Sequence, residues 1–317
     1  MLDLSAEMER LGATPAAVAR ERREIFSIFP ELRAMSWGGA TLIATGAAVL
    51  LSKNFDRIGP VVLAMGVLLA AAAAYGYAIW RKRSSRTSLV DEYILLLGAL
   101  LLSADLAYIE AQFHLLDHGW PRHLLLLTLI HAAGAYYFGS RTLLALSLVA
   151  LTAWMGIERR VDAIFDSGTE TAIRAMVTAA MILLWRAAHV RWRGTPGSRG
   201  GAETRRPSAS SFERVFEHAA ANVALAGAMM LVFQNDTRFV GTIIVLALAA
   251  FTMRYGFKVG VESFVIYAYA YAALAVLIFG ADLIGGEELV MLFLIVASIA
   301  AIAGLFLLHK EFRRRKA

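Results

Sequence analysis

Residues 91–131 read DEYILLLGALLLSADLAYIEAQFHLLDHGWPRHLLLLTLIH, and this stretch decides the fold class. It contains an apolar run long enough to cross a bilayer, and the run carries two carboxylates, Asp105 and Glu110. Four histidines follow, at positions 114, 118, 123 and 131. An ionised carboxylate in hydrocarbon is costly, so these positions are candidates for function. The stretch predicts a membrane helix that becomes polar toward its far end.

The composition of the whole chain agrees with a membrane protein. Hydrophobic residues make up 59% and charged residues 18% of the 317 residues, and the mean hydropathy is +0.61. The apolar residues form long blocks, which predicts an all-α, polytopic integral membrane protein. Cysteine is absent, which excludes disulfides, thiolate catalysis and cysteine-ligated metal sites. The first 35 residues are polar and charged, so we expect no cleavable signal peptide.

Hydropathy predicts about ten transmembrane helices. The apolar segments cover residues 36–52, 59–80, 91–114, 123–138, 142–157, 171–189, 216–234, 239–255, 261–282 and 288–308. Several are near or below the usual length of about 20 residues. The fifth segment is the weakest candidate for a transmembrane helix, because Arg141 leaves it only a short apolar length. We therefore expect the fourth and fifth segments to form a tight hairpin around Gly139-Ser140-Arg141.

The distribution of basic residues predicts the orientation. With the N-terminus inside, the cytoplasmic segments hold 23 Lys and Arg and the outside loops hold 6. Positively charged loops stay on the cytoplasmic side, so both termini are predicted to be cytoplasmic. The expected location is the bacterial inner (plasma) membrane.

This topology divides the chain into five parts. They are cytoplasmic amphipathic N-terminal helices (1–35), a six-helix membrane bundle (36–190), a flexible basic cytoplasmic loop (191–211), a four-helix membrane bundle (212–309) and a basic cytoplasmic tail (310–317). The lipid bilayer is the expected partner, and the N-terminal helices or the tail offer surfaces for a cytoplasmic protein. We expect no nucleic-acid partner, and the sequence predicts no oligomeric state.

Three motifs in the first half resemble a known family. They are the Thr14-Pro15 helix start, a first membrane helix that ends in Asn54-Phe55-Asp56, and LLLGALLL (95–102) followed by AYIEAQFHL (107–115). Over roughly residues 5–160 the chain resembles bacterial predicted membrane proteins of the domain-of-unknown-function 2157 type. The resemblance implies the membrane architecture and no particular activity. The family usually has Trp in place of Phe55, and often a Gly-Gln pair where this chain reads Glu110-Ala111-Gln112.

The histidines suggest a metal site as one hypothesis. Glu110, His114 and His118 are spaced i, i+4, i+8, which places them on one helical face. His131 lies two turns into the next segment and reaches a similar depth. A carboxylate with two or three imidazoles suits zinc or iron. Interfacial loop residues, a proton relay and a b-type haem held by His131 with His114 or His189 are the alternatives. Only the haem pairing with His114 is geometrically sensible, because His189 lies at the cytoplasmic end of the sixth segment. We expect no cofactor in the leading interpretation.

Asp105 and Glu110 require a counter-charge or water inside the membrane. Arg174 is the predicted counter-charge, because it lies one turn into the sixth segment at about the depth of Glu110. Asp282 is expected to compete for it.

The leading hypothesis is a non-enzymatic membrane protein that moves or senses a small solute, ion or proton. It would use the outer half of the third, fourth and sixth helices. Its polar elements would be Asp105, Glu110, His114, His131 and Arg174. The alternatives are a membrane scaffold that recruits a cytoplasmic partner, and a metal- or haem-dependent enzyme. The sequence contains no glycine-rich phosphate loop, GxSxG or HExxH motif, which disfavours the enzyme.

Overall fold

The structure is a computed structural model of the chain, and it describes residues 59–83, 89–113, 120–156, 168–193, 209–284 and 286–316, with isolated positions between 35 and 49. These ranges contain helices and turns and no strand. The helices are α1 (Pro60–Arg83), α2 (Leu89–Phe113), α3 (Trp120–Phe138), α4 (Arg141–Trp154), α5 (Gly168–Arg193), α6 (Ala209–Phe233), α7 (Arg238–Val259), α8 (Glu262–Leu283) and α9 (Glu287–Lys316). The all-α prediction is confirmed for this part of the chain.

Seven of these helices are long and apolar enough to cross a membrane: α1, α2 and α5 to α9. Large apolar side chains point outward on them, as at Leu184, Phe251 and Ile299. An outward apolar surface of this extent suits lipid and not water. The last nine predicted segments correspond to α1–α9. Because α3 and α4 are not among the seven candidate spans, the total of ten spans and the orientation stay predictions.

The first predicted helix and the amphipathic N-terminal helices lie outside the described residues, apart from the isolated positions. The same holds for residues 194–208 of the predicted basic loop. The two ends of that loop are helical, because α5 continues to Arg193 and α6 begins at Ala209.

The chain divides into two compact units, residues 1–105 and 106–317. In the first unit, α1 and α2 form an antiparallel pair. Asp91 in the first turn of α2 accepts a hydrogen bond of 3.1 Å from Arg81 Nε and one of 3.4 Å from the Tyr77 hydroxyl. Gly98 allows close approach, because a Cβ there would lie 2.9 Å from the Cβ of Ala74. An ion pair and small residues therefore fix this pair of helices.

In the second unit, α3 and α4 form the predicted tight hairpin. Gly139 turns the chain with a φ of 70°. The Ser140 side chain caps α4 by accepting a hydrogen bond of 3.3 Å from the Leu143 backbone N–H. Ser147 Oγ on α4 donates to the Thr128 carbonyl on α3 over 2.8 Å. Residues 128 and 147 are therefore level with each other, and the hairpin prediction is confirmed.

The core of the second unit is formed by α5, α6, α7 and α8. Gly227 on α6 packs so tightly on α5 that an added Cβ would collide with the Cβ of Ala175. The turn between α7 and α8 requires Gly260, which has a left-handed φ of 71°. Buried apolar residues such as Leu225 and Val232 fill the interior.

The last helix, α9, packs on α8. The Tyr269 hydroxyl on α8 donates to the Ala301 carbonyl on α9 over 3.0 Å. At the C-terminal end of α9, His309 contacts Glu262 at the start of α8. The buried Phe312 lies against Phe257 of α7, with the ring centroids 5.6 Å apart. These contacts bring the end of α9, the end of α7 and the start of α8 to one end of the unit.

Candidate functional site

Asp105 is buried near the end of the first unit, in the middle of the apolar run of α2. Its side chain is 2% exposed, and its Oδ1 atom has no hydrogen-bond partner among the described residues. An ionised carboxylate without a partner is costly in such a setting. Asp105 is therefore a buried carboxylate in the apolar run of α2, and its functional role stays a prediction.

In the second unit, Glu110 and His123 are both buried titratable residues. Glu110 lies one turn before the end of α2 and His123 one turn after the start of α3. They are 8% and 1% exposed, and a charged Glu110 attracts a protonated His123 electrostatically. The sequence had predicted Glu110 on one face with His114 and His118. His114 and His118 lie outside the described residues.

His131 lies two helical turns deeper on α3 than His123 and is 1% exposed. Residues eight apart on a helix share a face, so both histidines belong to the inward side of α3. Thr128, also buried, lies between them, and its hydroxyl donates to the Leu124 carbonyl of its own helix. The inward face of α3 therefore carries two imidazoles in an otherwise apolar helix.

The metal hypothesis concerns Glu110, His114, His118 and His131. Among the described residues, no group of three or more His, Asp or Glu side chains is arranged to hold a metal ion. The described residues include Glu110 and His131 but not His114 and His118, so the complete site stays a prediction. The haem pairing of His131 with His114 stays a prediction for the same reason.

His189, the other haem candidate, is enclosed by aromatic rings. It stacks on Phe212 with the centroids 5.8 Å apart and an angle of 29°. Tyr136 and Phe216 lie 5.4 Å and 5.8 Å from it. This packing gives His189 a structural role between α3, α5 and α6.

Arg174 pairs with a carboxylate of its own helix. Its guanidinium contacts Glu170 one turn earlier on α5, and its side chain is 40% exposed. The predicted pairing of Arg174 with Glu110 is wrong, because Arg174 pairs instead with the carboxylate one turn earlier on its own helix. Asp282, the expected competitor, contacts Arg238 at the start of α7.

The second unit contains a charged cluster that the sequence did not predict. Arg186 on α5 donates to Glu217 on α6 over 2.7 Å, and Glu213 lies 3.4 Å from the same guanidinium. Arg214 also reaches Glu217, over 3.4 Å. Two arginines and two glutamates therefore join α5 to α6 and neutralise one another.

An aromatic group adjoins this cluster. His218 stacks on Phe264 of α8 with the centroids 4.1 Å apart and an angle of 5°. Its Nδ1 atom shares a hydrogen bond of 3.3 Å with the Tyr267 hydroxyl. The charged cluster was predictable only if helix α6 had been predicted to begin at 209 instead of 216. Glu213 and Glu217 are then one turn apart on the same face of α6.

The described residues therefore include buried titratable side chains, but among them no set of side chains is arranged as a catalytic site. Residues 6–145 of the chain match the model of the family described as predicted membrane protein (DUF2157). No curated protein and no solved structure matches the chain. The match covers α1, α2, α3 and Asp105, Glu110, His123 and His131. Over residues 6–145 the chain is thus similar to the DUF2157 family of predicted membrane proteins.

Proposed function

We propose that this protein is a non-enzymatic membrane protein that moves or senses a small solute or ion, and that the proton is the species that fits best. The observation that carries the proposal is the burial of Glu110 and His123, with His131 two turns deeper on the same face of α3. These side chains change charge by binding or releasing a proton. Groups of this kind inside a membrane protein are typical of proton relays and pH sensors.

The arrangement suits a proton better than a larger solute. Glu110 and His123 are both buried, and each changes charge by binding or releasing one proton. Leu127, one turn after His123 on α3, is buried as well. His131 then offers the next proton acceptor toward the interior, about 12 Å from His123 along the helix axis at 1.5 Å per residue.

Proton movement is tested with purified protein in liposomes that contain a pH-sensitive dye. An imposed pH gradient with a potassium ionophore should collapse faster in the presence of the wild-type protein than in empty liposomes. Glu110→Gln and His131→Gln should each reduce the rate, because each removes a titratable group and keeps a similar volume. Glu288→Gln is the matched control, since this exposed carboxylate lies at the start of α9.

A wild-type rate equal to that of empty liposomes would exclude proton movement. In that case proton sensing is tested by the pH dependence of tryptophan fluorescence, which Glu110→Gln should alter. If both readouts are the same in wild type, Glu110→Gln and His131→Gln, and all three unfold at the same temperature, the proposal is overturned.

A further inference from the structure

The second unit has a basic end, formed where α5, α7 and α9 finish and α6 and α8 begin. Contacts across these helices establish that the ends meet: Arg186 with Glu213, His218 with Phe264, and His309 with Glu262. The exposed cations here are Arg191, Arg254, Lys258, Lys310, Arg313, Arg314 and Arg315. The end is therefore strongly positive.

Two stripes on the outer surface run from apolar to basic. On α7, the exposed residues Phe251, Arg254 and Lys258 follow each other at i, i+3, i+7. On α9, Leu307, Lys310 and Arg314 have the same spacing and are also exposed. Each stripe therefore changes from a lipid-facing side chain to two cations within two helical turns. Side chains of Lys and Arg at this depth extend to the headgroups while their stems stay against lipid.

The cations on these stripes are available to a ligand. Arg254, Lys258 and Lys310 make no ion pair within the described part of the chain. Arg314 is 82% exposed, and its contact with Glu311 is 3.6 Å long. Such an exposed pair is weak and does not withhold the arginine from a stronger anion.

The end of α9 is held in place on the bundle. The buried Phe312 packs on Phe257, and the Arg315 guanidinium lies 5.0 Å from the centre of the same ring. α9 continues as a helix to Lys316. The cations on α7 and α9 therefore form one surface of fixed shape instead of a free tail.

The opposite end of the unit has a different charge. There, α9 begins with the exposed carboxylates of Glu287 and Glu288, and Arg238 is paired with Asp282. Anionic headgroups are attracted to clustered Lys and Arg close to the membrane surface. From the two stripes and this asymmetry we propose that the α7 and α9 ends bind anionic phospholipids of the adjacent leaflet, through Arg254, Lys258, Lys310 and Arg314.

The experiment is electron paramagnetic resonance of spin-labelled lipids around the protein in phosphatidylcholine membranes. Spin-labelled phosphatidylglycerol should associate several-fold more strongly than spin-labelled phosphatidylcholine, since each cation near the surface favours the anionic lipid. Changing the four cations together (R254Q, K258Q, K310Q, R314Q) should bring the ratio close to one. The matched control at the acidic end (E287Q, E288Q) should leave the ratio unchanged.

Three results would overturn the proposal. One is equal association of the two lipids with the wild-type protein. Another is a ratio that persists in the fourfold variant, provided that this variant unfolds at the wild-type temperature. The third is displacement of phosphatidylglycerol by inorganic phosphate but not by chloride at the same ionic strength, because the bound species would then be the free anion and not the lipid surface.

Discussion

Arg186 Nη2 on α5 and Glu217 Oε1 on α6 lie 2.7 Å apart, and this pair joins two helices in the second unit. The Glu217 side chain is 10% exposed and the Arg186 side chain 31%. Removal of one partner of a largely buried pair leaves the other charge without compensation. The pair is therefore a structural connection whose loss has a measurable cost.

We predict that Arg186→Met destabilises the protein by roughly 2 kcal/mol, because Glu213 and Glu217 would lose their shared cation and Glu217 would keep only the longer contact with Arg214. The measurement is thermal unfolding in detergent. Arg174→Met on the same helix is the matched control. Its exposed pair with Glu170 is expected to contribute less than about 0.5 kcal/mol. Equal effects of the two substitutions would contradict the assignment of a structural role to Arg186.

A second prediction concerns the close contact of α5 with α6. Gly227→Ala should destabilise the protein by about 1–3 kcal/mol, because the new Cβ collides with the Cβ of Ala175. Gly76→Ala on α1 has open space around the new methyl group and should stabilise its helix by about 0.5–1 kcal/mol. Unfolding temperatures of the two variants test the difference. A stabilising Gly227→Ala would show that α5 and α6 lie farther apart than the structure places them.

The cap of α4 gives a third prediction. Ser140→Ala removes the acceptor of the Leu143 N–H and should cost about 1 kcal/mol. Ser298→Ala on the exposed side of α9 is the control and should have little effect. The readout is the rate of proteolysis in the α3–α4 hairpin together with the unfolding temperature. Unchanged values for Ser140→Ala would mean that the hairpin does not depend on its cap.

A fourth prediction concerns the two buried aspartates of α2, whose substitution by Asn should change the stability of the protein in different ways. Asp91→Asn should destabilise the protein by about 1–2 kcal/mol, since it weakens the bond to Arg81. Asp105→Asn should leave stability unchanged or raise it, because the Asp105 Oδ1 atom has no hydrogen-bond partner among the described residues. Chemical unfolding of the two variants in parallel provides the measurement. A large loss with Asp105→Asn would reveal a partner in the remaining part of the chain.

Hydropathy predicted the helices well and their ends less well. Apolar blocks located α1 to α9, because burial in lipid requires such blocks. The observed helix ends differ from the predicted ones where charged residues continue a helix. Backbone hydrogen bonding does not stop where the hydropathy of the sequence falls. For this reason α6 begins at Ala209 and not at 216, and α9 extends to Lys316 and not to 308.

The same cause limited the prediction of the site. Glu110, Asp105 and His131 were found because a polar residue in an apolar block is conspicuous, and all three are buried. Their partners depend on how helices face each other, which one sequence does not contain. His123, at the start of the fourth predicted segment, was therefore not counted among the polar elements of the site. The carboxylates that face Arg186 were overlooked because they preceded the predicted start of their helix.

The short fourth helix has a consequence for how the protein enters the membrane. α4 has 14 residues, which at 1.5 Å per residue is about 21 Å, whereas the hydrocarbon layer is about 30 Å thick. α4 is therefore too short to insert efficiently across the membrane on its own. The Ser147–Thr128 bond and the turn at Gly139 link it directly to α3. We expect the insertion machinery to accept α3 and α4 together, as a single helical hairpin, during synthesis of the chain.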